Sequence, residues 1–312
     1  METTGKPKEI IGHLMVLSTI IIYSFNTNFM KILMPSWIGP HGLVLLRCTM
    51  MAAGFWLISL FLPTKGQAKP TKKDILMMML GGVLGIGGNL LLYINGLNMP
   101  GPVDAFVIRT TQPIIVIGLA VLLLHASFNW YKAIGIILGL AGTVYVSITP
   151  HAGAVKDSVT GDVLIFVSSV FNALYLILIK PYTQKFNSVI VMRWMSLAAM
   201  IITFPFGIHQ VLNAPIFTSV APTHIWLELG FTLVFSTMLA YFLSLKALVY
   251  ITPFVESAYI YLLPITGAIV SIAIGLQKFS WHDPIALVLI VIGFILINKK
   301  TKKQVKELRV QS

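Results

Sequence analysis

Arg109 and Glu256 are charged side chains set in stretches that are otherwise apolar. An arginine at the centre of a hydrocarbon layer costs about 2.5–3.5 kcal/mol on insertion scales, so such a residue is kept where it faces a cavity or a partner. Gln112 follows Arg109 by three positions and Tyr259 follows Glu256 by three, and on a helix each pair shares a face. The four suit a site that grips a substrate carboxylate and carries a coupled proton. They equally suit a structural Arg109–Glu256 ion pair that locks two helices. Other polar pairs recur at helical spacing: Tyr23 with Asn26, Asn172 with Tyr175, Asn89 with Tyr93, and Tyr241 with Ser244. These twelve residues are the candidates for binding a small polar solute. The competing reading of the uncharged ones is hydrogen-bonded glue between helices, at about 0.6–2 kcal/mol per bond. No catalytic or metal-ligating set stands out. Acids and histidines are scattered, no H-E-x-x-H occurs, and no cofactor is implied.

The candidates belong to two copies of one unit. Stepping 151 positions forward takes Pro113 to Pro264, Ile114 to Ile265, Phe128 to Phe279, Trp130 to Trp281, Leu138 to Leu289 and Gly142 to Gly293. A step of 149 takes Lys31 to Lys180 and Gly12 to Gly161, and one of 146 takes Arg47 to Arg193. Loops of different length produce such drift. The steps place Glu256 against Ala105, one turn from Arg109, and set the Tyr/Asn pair of residues 23 and 26 against its reversed counterpart at 172 and 175. Matched polar positions in both copies point to a shared water-facing lining.

With 57% hydrophobic and 10% charged residues, the chain is no ordinary globular domain, of which about 25% is charged. Crossing a bilayer takes roughly 20 apolar residues as a helix. Ten stretches qualify, at 11–33, 41–62, 74–97, 102–125, 130–149, 162–180, 188–210, 224–250, 253–277 and 282–298. The first is too long for a cleaved signal peptide and has no A-x-A-like site after it. Barrel strands would alternate over about ten residues, and these stretches do not. The expected fold is therefore an all-α membrane protein, with ten transmembrane helices in two five-helix repeats. The repeats take residues 1–149 and 160–298, and 299–312 form a basic tail. An odd number of spans per repeat starts the second copy on the opposite side, so the repeats are inverted about an axis in the membrane plane.

The net charge of +12 has a sidedness. With both termini cytoplasmic, that side holds Lys6, Lys8, Lys65, Lys69, Lys72, Lys73, Lys132, Lys180, Lys185 and the tail from Lys299 to Arg309. The other side holds Lys156 and Lys278. This is the bias that orients membrane proteins, so both termini are expected inside. The basic tail faces anionic lipid, and no nucleic-acid partner is implied. The absence of an N-x-[ST] sequon favours a bacterial inner membrane, and the single Cys48 allows no internal disulfide. The glycines of residues 81–88 lack the strand before and the Lys-Ser/Thr after that a phosphate loop needs, so they are read as close helix contacts. Pro113 and Pro264 are expected to kink their spans. Lys31 and Lys180 are expected at span boundaries, and Trp37, Trp130, Trp226 and Trp281 at the interfaces.

The run from Tyr93-Ile-Asn-Gly-Leu97 to Gln112-Pro113 resembles a signature of the drug/metabolite transporter superfamily. So does its counterpart from Tyr241–Leu248 to Leu263-Pro264, with Arg47 and Arg193 early in spans two and seven and the aromatic pairs Phe128/Trp130 and Phe279/Trp281. The branch it looks most like is the EamA-like permeases. That resemblance covers residues 10–298, and it implies a secondary transporter that exports small organic metabolites such as amino acids by alternating access. Ala126 and Gln277 depart from the family's acidic residue, and Arg109 is unusual for it. Partners implied are the small-molecule substrate and the lipid bilayer, with a homodimer left open. The alternatives are a channel or lipid scramblase and, further off, an intramembrane enzyme.

Overall fold

The computed structural model describes residues 5–61, 69–97, 108–109, 111–124, 133–134, 137–138, 141, 159–273, 288 and 292. Most of the expected spans 130–149 and 282–298 lies outside these residues. So do Ala105, Trp130, Trp281, Lys156, Lys278 and the basic tail.

Every regular element among the described residues is helical. Helix α1 (Gly5–Leu33) leads to α2 (Pro40–Leu60), which has proline in its first turn, where a missing N–H costs nothing. Thr71 and Asp74 form a reciprocal capping box that starts α3 (Lys72–Gly82). The helix passes through a π-helical segment, Val83–Gly87, into α4 (Gly88–Leu97). Helix α5 spans Gln112–Leu124. The second half repeats the pattern with α6 (Val159–Lys185) and α7 (Ser188–Leu212), the latter capped by Asn187. After the short α8 (Pro215–Thr218) comes α9 (Thr223–Phe231), a π-helical segment at Thr232–Leu239, and α10 (Ala240–Ala247). Helix α11 (Pro253–Ala258) tightens into a 3₁₀ turn at Tyr259–Leu262 and continues as α12 (Leu263–Ala273).

Six of these helical runs are long and apolar enough to cross a membrane: Glu9–Met30, Pro40–Leu60, Lys72–Gly96, Thr160–Lys185, Ser188–Leu212 and Thr223–Ala247. Large apolar side chains such as Leu57, Phe61, Ile201, Phe206 and Leu227 point outward, as a hydrocarbon surround requires.

Several helix contacts match when the halves are exchanged. Helix α1 packs on α10 and α12, and its counterpart α6 packs on α4 and α5. Helix α2 crosses its counterpart α7. The two π-helical segments also match, since 151 positions after Val83 lies within the second one. Close approach relies on small residues. A Cβ on Gly82 would overlap the backbone carbonyl of Met195, and one on Gly85 would overlap the Tyr175 ring. The glycine run thus brings α3 and its π segment against α6 and α7, the role read for it from sequence.

Two expectations shift. Pro113 is the second residue of α5 and stands in its first turn, whereas Pro264 follows the 3₁₀ turn inside the continuous helical run 253–273, where the pitch changes. Lys180 lies inside α6, well before its end at Lys185. Its Nζ donates to the carbonyls of Leu248 and Ile251, capping the end of α10 from a neighbouring helix.

Candidate functional site

A cavity of about 150 Å³ lies between the two halves, walled by α1, α2, the π segment of the first half with α4, the start of α5, α6, α10 and α11. Cavities of this size in other proteins admit a molecule as large as benzene. All the sequence candidates except Tyr259 line it: Tyr23, Asn26, Asn89, Tyr93, Arg109, Gln112, Asn172, Tyr175, Tyr241, Ser244 and Glu256. The reversed Tyr/Asn pairs of α1 and α6 therefore face the same space.

Tyr259 is turned elsewhere. The wall of α11 and the segment after it is formed by Glu256, Ser257, Ile260 and Leu263. Its hydroxyl meets His13 Nδ1 at 2.8 Å, and its ring is buried against α1.

Arg109 and Glu256 share the cavity without pairing. Glu256 Oε1 accepts from Ser244 Oγ at 2.6 Å, and the Arg109 guanidinium lies over the Tyr93 ring at 4.2 Å from its centroid. Among the described residues the one ion pair within 4 Å is Lys185–Asp74, at 2.9 Å. The locking pair considered from sequence is absent because each charge finds a partner on its own side. For Arg109 that partner is an aromatic face, worth about 2 kcal/mol or more when desolvated.

The remaining contacts orient the lining. Asn89 Nδ2 donates to the Ser168 carbonyl at 2.6 Å, and Gln112 Nε2 to Asn172 Oδ1 at 3.3 Å. Tyr23 and Tyr241 meet edge to face at 6.1 Å. Asn26 Oδ1 and Gln112 Oε1 are buried and have no hydrogen-bond partner among the described residues.

Arg47 also lines the cavity and was not among the site candidates. The sequence marked it only through the repeat that pairs it with Arg193. Burial was the missing information: Arg47 is 3% exposed and points inward, whereas Arg193 lies between Trp56 and Trp194 at 4.9 and 5.0 Å. Among the described residues, the wall carries two arginines, Arg47 and Arg109, and one acid, Glu256.

The sequence pattern of the EamA-like transporter family matches residues 10–148 and 159–299, so it covers both halves. Two proteins of Bacillus subtilis (strain 168) are similar along most of their length. "Uncharacterized transporter YetK" is 23% identical over 82% of this chain and 77% of its own. "Uncharacterized transporter YyaM" is 23% identical over 92% of this chain and 93% of its own. A solved structure described only as "Crystal structure of protein" superposes with a TM-score of 0.75 at 18% identity, covering 96% of this chain and 99% of its own. The chain belongs to the EamA-like transporter family, and it is a multi-pass membrane protein.

Proposed function

We propose that this EamA-like transporter is a secondary carrier that exports a small anionic or zwitterionic metabolite, such as an amino acid, across a bacterial inner membrane. It works by alternating access, with ten transmembrane helices in two inverted repeats at 1–149 and 160–298. Both termini and the basic tail 299–312 are cytoplasmic. The observation that carries this reading is the cavity between the halves, walled by polar side chains at matched positions of both copies and containing Arg47, Arg109 and Glu256. A site at the junction of two similar halves is exposed to either side when the halves rock. The cavity volume favours a solute of amino-acid size over a peptide or a lipid. No nucleotide-binding motif accompanies it, so drive comes from the solute gradient or from proton exchange.

The test is reconstitution. Purified protein in liposomes takes up a labelled small metabolite without ATP, and uptake saturates. A strict ATP requirement in that purified system overturns the secondary-carrier reading, and uptake that never saturates favours a channel.

A further inference from the structure

Arg47 belongs to the first half and holds a structural element of the second. Its Nε donates to Thr237 Oγ1 at 2.8 Å and its Nη2 to Ser236 Oγ at 3.4 Å. Both hydroxyls belong to the π-helical segment Thr232–Leu239. Thr237 in turn donates to the Thr232 carbonyl at 2.7 Å, across the five-residue spacing of a π turn. One hydroxyl therefore closes the π turn and receives the arginine.

The outer edge of the guanidinium is poorly satisfied. Nη1 faces the sulfur of Met30 at 3.7 Å, a weak acceptor. Among the described residues no carboxylate lies within 4 Å of Arg47, although its side chain is buried and lines the cavity. A buried cation is costly without an anion, and a planar oxyanion on the Nη edge would bind more strongly than two hydroxyls and a thioether.

The duplicated unit does not impose this arrangement. Arg193, the counterpart of Arg47, donates to Ser59 Oγ at 3.5 Å and lies between two tryptophans. At the positions matching Ser236 and Thr237 the first-half π segment has Gly85 and Ile86, which offer no hydroxyl. The grip on a π turn by a cavity arginine exists on one side of the molecule.

We propose that Arg47 binds the carboxylate of the solute, and that this binding draws the guanidinium from Ser236 and Thr237 and loosens the π turn between α9 and α10. Arg47 then selects for the solute's negative charge and converts its arrival into freedom of span eight. The inference rests on the carrier reading and deepens it. It says which residue recognises the anion and which element responds.

The probes are a pool of radiolabelled amino acids and 2-hydroxy acids, with the decarboxylated amines of the same amino acids, labelled in a parallel set and unlabelled as competitors. Wild type, Arg47→Lys, Arg47→Gln and Thr237→Val are reconstituted in liposomes, and their melting with and without the acids is followed in detergent. Wild type takes up at least one acid, which raises its melting temperature, and the matched amine does not compete. Arg47→Gln lowers uptake about tenfold or more and Arg47→Lys falls between, because lysine cannot reproduce a planar two-point contact. Thr237→Val keeps the guanidinium and frees it, so KM falls while the maximal rate also falls. Should Arg47→Gln fail to fold, that split in Thr237→Val decides. Wild-type KM in a folded Arg47→Gln, equal competition by the amine, or a Thr237→Val that leaves KM unchanged overturns the inference. Uptake of amines alone overturns it while leaving the carrier reading standing. If wild type moves no probe of either set, both fall.

Discussion

Ser244 donates to Glu256 at 2.6 Å, joining α10 to α11 across the loop between them, and Arg109 takes no part. The acid of the cavity is held by a hydroxyl from its own half. Arg109, from the other half, is held by Tyr93.

The two charges should therefore be energetically independent. Arg109→Ala and Glu256→Ala, alone and together, form a double-mutant cycle read by thermal or denaturant unfolding in detergent. The coupling should stay well below the several kcal/mol expected of a buried ion pair. A recovery of several kcal/mol in the double variant would restore the locking ion pair that the geometry lacks. Ser244→Ala should cost about 1–3 kcal/mol by stranding a buried carboxyl.

Gly82 tests the packing of the first half on the second. Gly82→Ala forces a methyl group into the Met195 carbonyl on α7, where backbone must move. Overpacking of this kind costs about 1–3 kcal/mol. Gly118→Ala is the matched control on α5, with open space around the added carbon, and should be neutral or slightly stabilising. Equal melting temperatures for the two variants would refute the close contact.

The Lys185–Asp74 pair and the Thr71 cap share one carboxylate. Asp74 Oδ1 accepts from Lys185 and its Oδ2 from the Thr71 backbone. Lys185 is more than half exposed, so its own contribution is small. Asp74→Ala should lower the melting temperature clearly more than Lys185→Ala, and high salt should erase the lysine effect alone. Matching losses in the two variants would show that the ion pair, and not the cap, holds the start of α3.

Topology is read with fusions. A reporter on the C-terminal tail should be cytoplasmic and one inserted near Ala154 external. Finding both on one side would break the inverted arrangement.

Much of the helix plan could be read from hydropathy and from the duplication, because both depend on long-range periodic composition. The spans around 188–210 and 224–250 fall close to α7 and to the run from α9 to α10. Spacing of i, i+3 and i, i+4 also brought Tyr23, Asn26, Asn172 and Tyr175 onto one wall, since a helix face is set by counting. Counting failed at a finer scale. It could not tell that Tyr259 leans past the edge of the stripe towards His13. It could not tell which member of the Arg47–Arg193 pair turns inward, because that depends on the tryptophans and hydroxyls of neighbouring helices. The π segments leave no mark in an apolar run, and the first turn of α5 was read as a kink for the same reason.

The paired π segments let each half hold one residue more than a regular helix of the same reach. Removing one residue from Val83–Gly87 would close that wide turn in ordinary α register, and the turn it replaces covers nearly the same angle as four α residues, about 400°. Asn89 and Tyr93 would then keep their wall while Lys72–Gly82 kept its seat against α7. A deletion between Asn89 and Tyr93, inside α4, finds no wide turn to absorb it and would rotate Tyr93 by about 100° off the wall. The wide turns are thus the places where either half can lose a residue and keep its chamber in phase.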